Sequence, residues 1–151
     1  MLVWDIVQLV LIGLLAGEEF IVRYGIHPSI ASLPDDAHVL VRIALVRRLK
    51  IVVPLLMVPA VLASIGLLIA AGSGVGLGVR IAGIVALAAF VLFSFLGTVP
   101  INMKVNDWEP AHPPADWHEV VRRWTNLDTF RSTAAIVSFV CFVVALAVRA
   151  G

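Results

Sequence analysis

The sequence is poorest in cysteine: Cys141 is the only one in 151 residues. One thiol excludes an internal disulfide and any cysteine-based metal cluster. It reads as a small packed hydrophobe. Charge is scarce as well. Lys, Arg, Asp and Glu make up 14% of the chain and nearly cancel, leaving a net charge of +1. No general basic field exists, so nucleic acid is not an expected partner. No Lys or Arg precedes the first apolar run, and Asp5 occupies the place of a leader's positive region. That run therefore reads as a retained helix rather than a cleaved leader. Four alternating glycines, Gly72 to Gly78, have neither a preceding strand nor a following Lys-Ser/Thr. They describe a flexible turn and not a phosphate loop.

What the chain has in abundance is apolar surface. Hydrophobic residues make up 61% of it and mean hydropathy is +1.04. A soluble core cannot absorb that much, which moves the expectation to a membrane protein. Four apolar runs stand out, and each is long enough for a bilayer core of about 30 Å. The backbone in lipid must satisfy itself, so helices are expected. The predicted fold is an all-α membrane protein, a four-transmembrane-helix up-down bundle with cytoplasmic helical extensions. It forms a single domain over 1–151, with spans at about 2–26, 51–71, 79–99 and 130–149.

Positive charge sets the predicted orientation. The connections after runs one and three hold nine of the eleven Lys and Arg, and the opposite side holds only Arg80 and Arg149. Both long connections should be cytoplasmic and both termini outside, in a multi-pass protein of the cell membrane. Pro34-Asp35-Asp36 starts a helix that can run through His38–Lys50 into the second span. Pro113-Pro114-Ala115-Asp116, with Glu119 three residues after Asp116, has a capping-box pattern that starts the helix leading into the fourth. Pro54 and Pro59 fall inside the second run, where membrane helices tolerate them.

Polar residues on these helices are not scattered. At about 100° per residue, Asp5, Gln8, Glu19, Arg23 and His27 share about 100° of helix one, with Glu18 well off the stripe. Gly13 and Gly17 lie beside it, a spacing that admits a close neighbour. The stripe is therefore expected to face the bundle interior. Glu19 and Arg23 have the favourable i,i+4 order for an ion pair. On the last helix, Trp117, Trp124, Asp128 and Arg131 share about 60°. Structural roles compete with functional ones here: an interfacial pair, an aromatic belt, or a helix-surface pair. Depth favours a site. In an up-down bundle Glu19, Arg23, Asn102, Asp128 and Arg131 all come to the inner mouth. Such a pocket suits a flat, apolar, oxygen-bearing molecule, with indoles on its faces and guanidiniums on its oxygens.

The residues Val99-Pro100-Ile101-Asn102, Trp108-Glu109-Pro110, Trp117, Arg123-Trp124-Thr125 and Arg131-Ser132-Thr133 resemble the signature of the anthrone-oxygenase-like family. These are small four-helix membrane proteins, some of them linked to oxidation of anthrones to anthraquinones. Helix one carries a weaker likeness in Leu15-Ala16-Gly17, Phe20 and His27-Pro28. Two departures stand out: Asp128-Thr129 where members often have Asn-His, and Glu18-Glu19.

The resemblance implies an oxidoreductase that removes a proton beside a ketone and lets the anion meet dioxygen. Such chemistry needs a base, an oxyanion holder and a water-poor slot. Glu19, Asp128 and His27 are the candidate bases, with Arg131 and Arg23 to hold the anion. Asn102, Trp117 and Trp124 complete the expected substrate site. No cofactor is required by the sequence. A metal ion such as iron, copper or zinc stays open, with Glu19, His27 and Asp128 as ligands and His112 and His118 in reserve. The other expected partners are the lipid bilayer and a small aromatic or apolar molecule, with homo-oligomers open. A non-catalytic binder or transporter, or an accessory subunit of a larger complex, is the alternative class.

Overall fold

The computed structural model describes residues 2–150. It is all helical among those residues. The first helix, α1 (Leu2–Ile21), passes through a π-helical turn at Val22–Ile26 into α2 (His27–Ala31). Then α3 (Asp35–Ala71) runs unbroken through Pro54 and Pro59. After a short turn come α4 (Leu77–Phe93), a second π-helical turn at Ser94–Thr98, and α5 (Val99–Asn106). A connection containing an isolated bridge between Glu109 and His112 leads to α6 (Trp117–Ala150).

Both expected extensions are present. His38–Lys50 is part of α3, and Trp117–Asp128 is part of α6. The carbonyl of Pro34 accepts from the His38 amide at 2.8 Å, and that of Asp116 accepts from the amides of Glu119 and Val120. The α3–α4 turn needs glycine at two points. Gly72 has φ +55° and Gly76 has φ +83°, a region costly for side-chain-bearing residues.

The two π-turns have a common cause. Each is followed by a proline in the next helical position but one, Pro28 and Pro100. Proline lacks an N–H, and its ring collides with the carbonyl four residues back. Here the chain widens just upstream instead of breaking: the amides of His27 and Val99 reach the carbonyls five residues back, of Val22 and Ser94. Such bulges are frequent at functional sites.

The helices close into a bundle: α6 packs on α4 and α1, α1 on α3, and α3 on α4 and α5. Three helical stretches, Asp35–Ala71, Leu77–Asn106 and Trp117–Arg149, are long and apolar enough to cross a membrane. Their outward faces carry Leu55, Leu62, Ile69, Val85, Leu92 and Leu96, all exposed. That apolar exterior is the lipid-facing surface of an all-α membrane bundle. Helix α1 is of similar character but bears Asp5, Glu18 and Glu19.

The predicted polar stripe does face inward, with Asp5, Gln8, Glu19 and His27 all buried. The glycine contact is different from the expected one. Gly13 lies against Phe139, but Gly17 has open space beside it. A second close helix approach occurs at Gly83, where an added Cβ would lie 3.1 Å from Phe142 and 3.2 Å from Cys141. The Ser138 hydroxyl donates to the Gly83 carbonyl at 2.8 Å there.

Candidate functional site

At one end of the bundle α1, α3 and α6 bring charged side chains into the core. The centre is Arg131, which is only 3% exposed. Its Nη2 donates to Glu19 Oε1 at 2.6 Å and lies 3.5 Å from Asp128 Oδ1. Its Nη1 donates to the Thr98 hydroxyl at 3.4 Å, and its guanidinium sits over the Phe90 ring at 5.5 Å. The second π-turn thus presents Thr98 to the arginine from the α4 side.

Beyond Asp128 stands His27, with Nε2 3.9 Å from Asp128 Oδ2, longer than a hydrogen bond. Its ring packs on Trp124 with centroids 4.4 Å apart. The Trp124 indole N–H donates to Asn102 Oδ1 at 2.6 Å. Arg42 covers the Trp124 ring at 5.4 Å, within cation–π range, and its Nε contacts His38 Nε2 at 3.1 Å. His38 meets the edge of Trp117 at 5.0 Å. His27 lies just past the first apolar run. Burial, and then the charges of Arg42, His38 and Arg131, lower its pKa from 6.5 to about 4. Its imidazole is neutral at ordinary pH.

Several buried polar atoms of this cluster make no hydrogen bond: Glu19 Oε2, His27 Nε2, Arg42 Nη1, Asp128 Oδ1 and Arg131 Nε. Burying polar atoms unbonded is costly, and their concentration in one place makes this cluster the candidate site.

A cavity of about 560 Å³ reaches the cluster from between α3 and the α4–α5 strand of helix. Val53, Met57 and Val99 give it an apolar wall, while Ser94, Asn102 and Arg131 supply polar groups. Its size is within the range of small-molecule sites. Lys50, Asn106 and Asp107 lie at its polar rim.

The eight residues singled out from sequence fare differently. Glu19, His27, Asp128 and Arg131 are brought together, and Asn102 and Arg131 line the cavity. Trp117 and Trp124 are buried but do not line it; their rings pack on His38, His118 and His27. Arg23 does not pair with Glu19 as its spacing suggested. It reaches across to α6 and donates to the Thr129 carbonyl and the hydroxyls of Ser132 and Thr133. The reason is that Arg131 takes Glu19 in the interior, where a short, dry ion pair outweighs a helix-surface one. Among the described residues, no group of three His, Cys, Asp or Glu side chains gathers as a metal-ligand set. Glu19 and Asp128 instead share the Arg131 guanidinium, and His112 and His118 are exposed with other partners, Glu109 and Asp35.

Arg42, His38 and Thr98 escaped the sequence reading. Arg42 had counted only as one positive charge among nine, although its i,i+4 relation to His38 could have flagged it. Thr98 gave no signal, because a lone threonine in an apolar run is ordinary.

Comparison with curated proteins gives no match, and comparison with solved structures gives none. A model of the family described as "Anthrone oxygenase" matches residues 43–141, more than half of the chain. The matched stretch contains the second π-turn, Asn102, Trp117, Trp124, Asp128 and Arg131, so the cavity and the α6 side of the buried cluster fall inside it, while Glu19, His27, His38 and Arg42 precede it. On that match, the chain belongs to the anthrone oxygenase family.

Proposed function

We propose that this protein is an oxidoreductase that oxidises a flat aromatic or phenolic substrate of the anthrone type with O2. The observation that carries the reading is the apolar cavity ending on Arg131, an arginine backed by two buried carboxylates that keep free oxygens. The family match supplies the substrate class. The bundle crosses the cell membrane four times, α1 being the fourth crossing helix. Both termini lie outside and the Arg131 cluster lies at the cytoplasmic end, as the distribution of positive charge favours.

The reaction balances as anthrone plus O2 giving anthraquinone plus water. The ketone oxygen meets Arg131 and the Asn102 amide. The Trp124 N–H occupies Asn102 Oδ1, which leaves the NH2 group to donate. Guanidinium contact stabilises the enolate that forms when the ring CH2 loses a proton. A free carboxylate oxygen of Glu19 or Asp128 accepts that proton, with neutral His27 beside Asp128 to pass it on. The carbanion carbon bonds to O2, and the resulting hydroperoxide loses water to leave the second carbonyl. The apolar wall keeps competing water away. No metal or organic cofactor is needed to balance these steps.

The test is oxygen uptake by the full chain in liposomes given anthrone, against protein-free liposomes. The expected result is one O2 consumed per quinone formed, with Glu19→Gln and Asp128→Asn both slowed. Variants that oxidise at the parent rate would overturn the assignment of the base. Ligand binding without oxygen uptake would make the protein a binder instead.

A further inference from the structure

The geometry points to a lateral portal: a membrane-dissolved polycyclic ketone or phenol reaches Arg131 sideways from the lipid, between α3 and α5, and is gripped by its oxygens at both ends. This rests on the cavity of the proposed function but not on its chemistry.

Three cavity-lining residues are also more than half exposed on the outer surface: Ile51 at 59%, Phe95 at 55% and Met103 at 66%. All three are large and apolar. A mouth built for water-borne ligands alone would carry no such large apolar edge, because exposed apolar rims are unfavourable in water. Beside the polar Lys50, Asn106 and Asp107, this edge continues the surface that meets lipid. Ile51 belongs to α3, Phe95 to the second π-turn and Met103 to α5. The π-turn lines the cavity through Ser94 and Phe95, so the proline-driven widening sits at the mouth itself.

The interior supplies the chemical class. At the inner end Arg131 is 3% exposed and its Nε makes no hydrogen bond. Asn102 offers an amide donor beside it. At the polar rim stands Lys50, a second cation lining the same cavity, together with Asn106 and Asp107. Arg47 holds Asn106 from the side, through both its side chain and its carbonyl. Donors at both ends of an apolar slot suit a flat ligand with oxygens on opposite edges. Long saturated lipids lack the inner oxygen, and small hydrophilic anions gain nothing from the apolar wall.

The experiment uses the full chain in lipid nanodiscs with 1,8-dihydroxyanthraquinone as probe, followed by its fluorescence in stopped flow. Met103→Trp narrows the mouth without touching Arg131. It should slow association and dissociation together by about tenfold or more while Kd stays within about twofold. Ile51→Trp, on the facing helix, should do the same and serves if the first variant does not fold. Val85→Trp, exposed on α4 and away from the cavity, should change neither rate. Arg131→Met should instead raise Kd at least about tenfold. Lys50→Met should weaken the probe but not 9-anthrone, which lacks the second set of oxygens. Unchanged rates in both mouth variants, or no binding of the probe to the parent protein, would overturn the portal. Binding with mouth-dependent rates but no oxygen uptake would leave the portal standing and remove the oxidation. Unchanged association and dissociation in both mouth variants, with oxygen uptake intact, would do the reverse.

Discussion

The two ends of the bundle both hold ion pairs, yet they are built differently. At one end Asp5 pairs with Arg149, and Gln8 donates to the Ser64 hydroxyl at 2.9 Å. The Ser64 hydroxyl in turn donates to the Ala60 carbonyl. The Arg149 side chain is 27% exposed, so this end keeps access to its surroundings. Arg149 Nη1 also lacks a partner there, but at the other end Glu19, Asp128 and Arg131 are essentially sealed and an unbonded polar atom remains on each. The first arrangement ties α1 to α3 and α6. The second holds more polar capacity than the fold uses. Surplus polar capacity in a sealed core costs stability, and it makes sense where a ligand completes it.

The contrast can be broken by deletion. Glu19→Ala leaves Arg131 buried without its one short carboxylate hydrogen bond, with only Asp128 at 3.5 Å, and should cost about 3–5 kcal/mol. Asp5→Ala, at the more accessible end, should cost about 1 kcal/mol or less. Thermal unfolding of both variants in the same detergent checks the difference; equal losses would erase the distinction between the ends. Activity separates them further. Arg131→Lys keeps the charge but loses the fork that reaches Glu19 and Thr98 together. It should lower kcat/KM for anthrone about 100-fold, the scale of a lost oxyanion donor. Arg149→Lys should leave oxygen uptake unchanged.

A smaller effect is expected at Trp124→Phe. The ring packing on His27 largely survives, while the 2.6 Å bond to Asn102 is lost. About 1 kcal/mol of stability should go with it, and KM should rise more than kcat falls because Asn102 loses its fixed orientation. The smallest effect near neutral pH belongs to His27. Its folded pKa of about 4 lies below the ordinary 6.5. Between those values the unfolded chain binds the proton and the folded one does not, so stability falls as pH drops through that window and levels off below it. His27→Gln should flatten this part of the stability–pH curve. A curve unchanged by the substitution would mean that His27 is not sealed as the Glu19 end requires.

Much of the architecture was legible from local pattern. Apolar run length gave the helices, and proline-acidic starts gave the two long extensions, because both depend on neighbours within a few residues. The inward stripe on α1 was also legible, since helical periodicity alone places Asp5, Gln8, Glu19 and His27 on one face. Depth alignment put Glu19, Arg23, Asn102, Asp128 and Arg131 at one mouth; of these Glu19, Asp128 and Arg131 meet, and Asn102 lines the cavity with Arg131. Pairing was not legible. Glu19 has an arginine four residues away and another 112 residues away, and it takes the distant one. Arg23 turns to α6 instead.

The sequence by itself determined that the chain forms apolar helices, which faces of them are polar, and which family it belongs to. Only the tertiary structure decided which carboxylate meets which guanidinium, that Trp124 packs on His27 and bonds Asn102, and that a cavity between α3 and α5 ends on Arg131. The physical reason is that helix formation follows local hydrogen bonds and burial. Ion-pair choice and cavities follow instead from distances across the bundle, which exist only once four helices have packed.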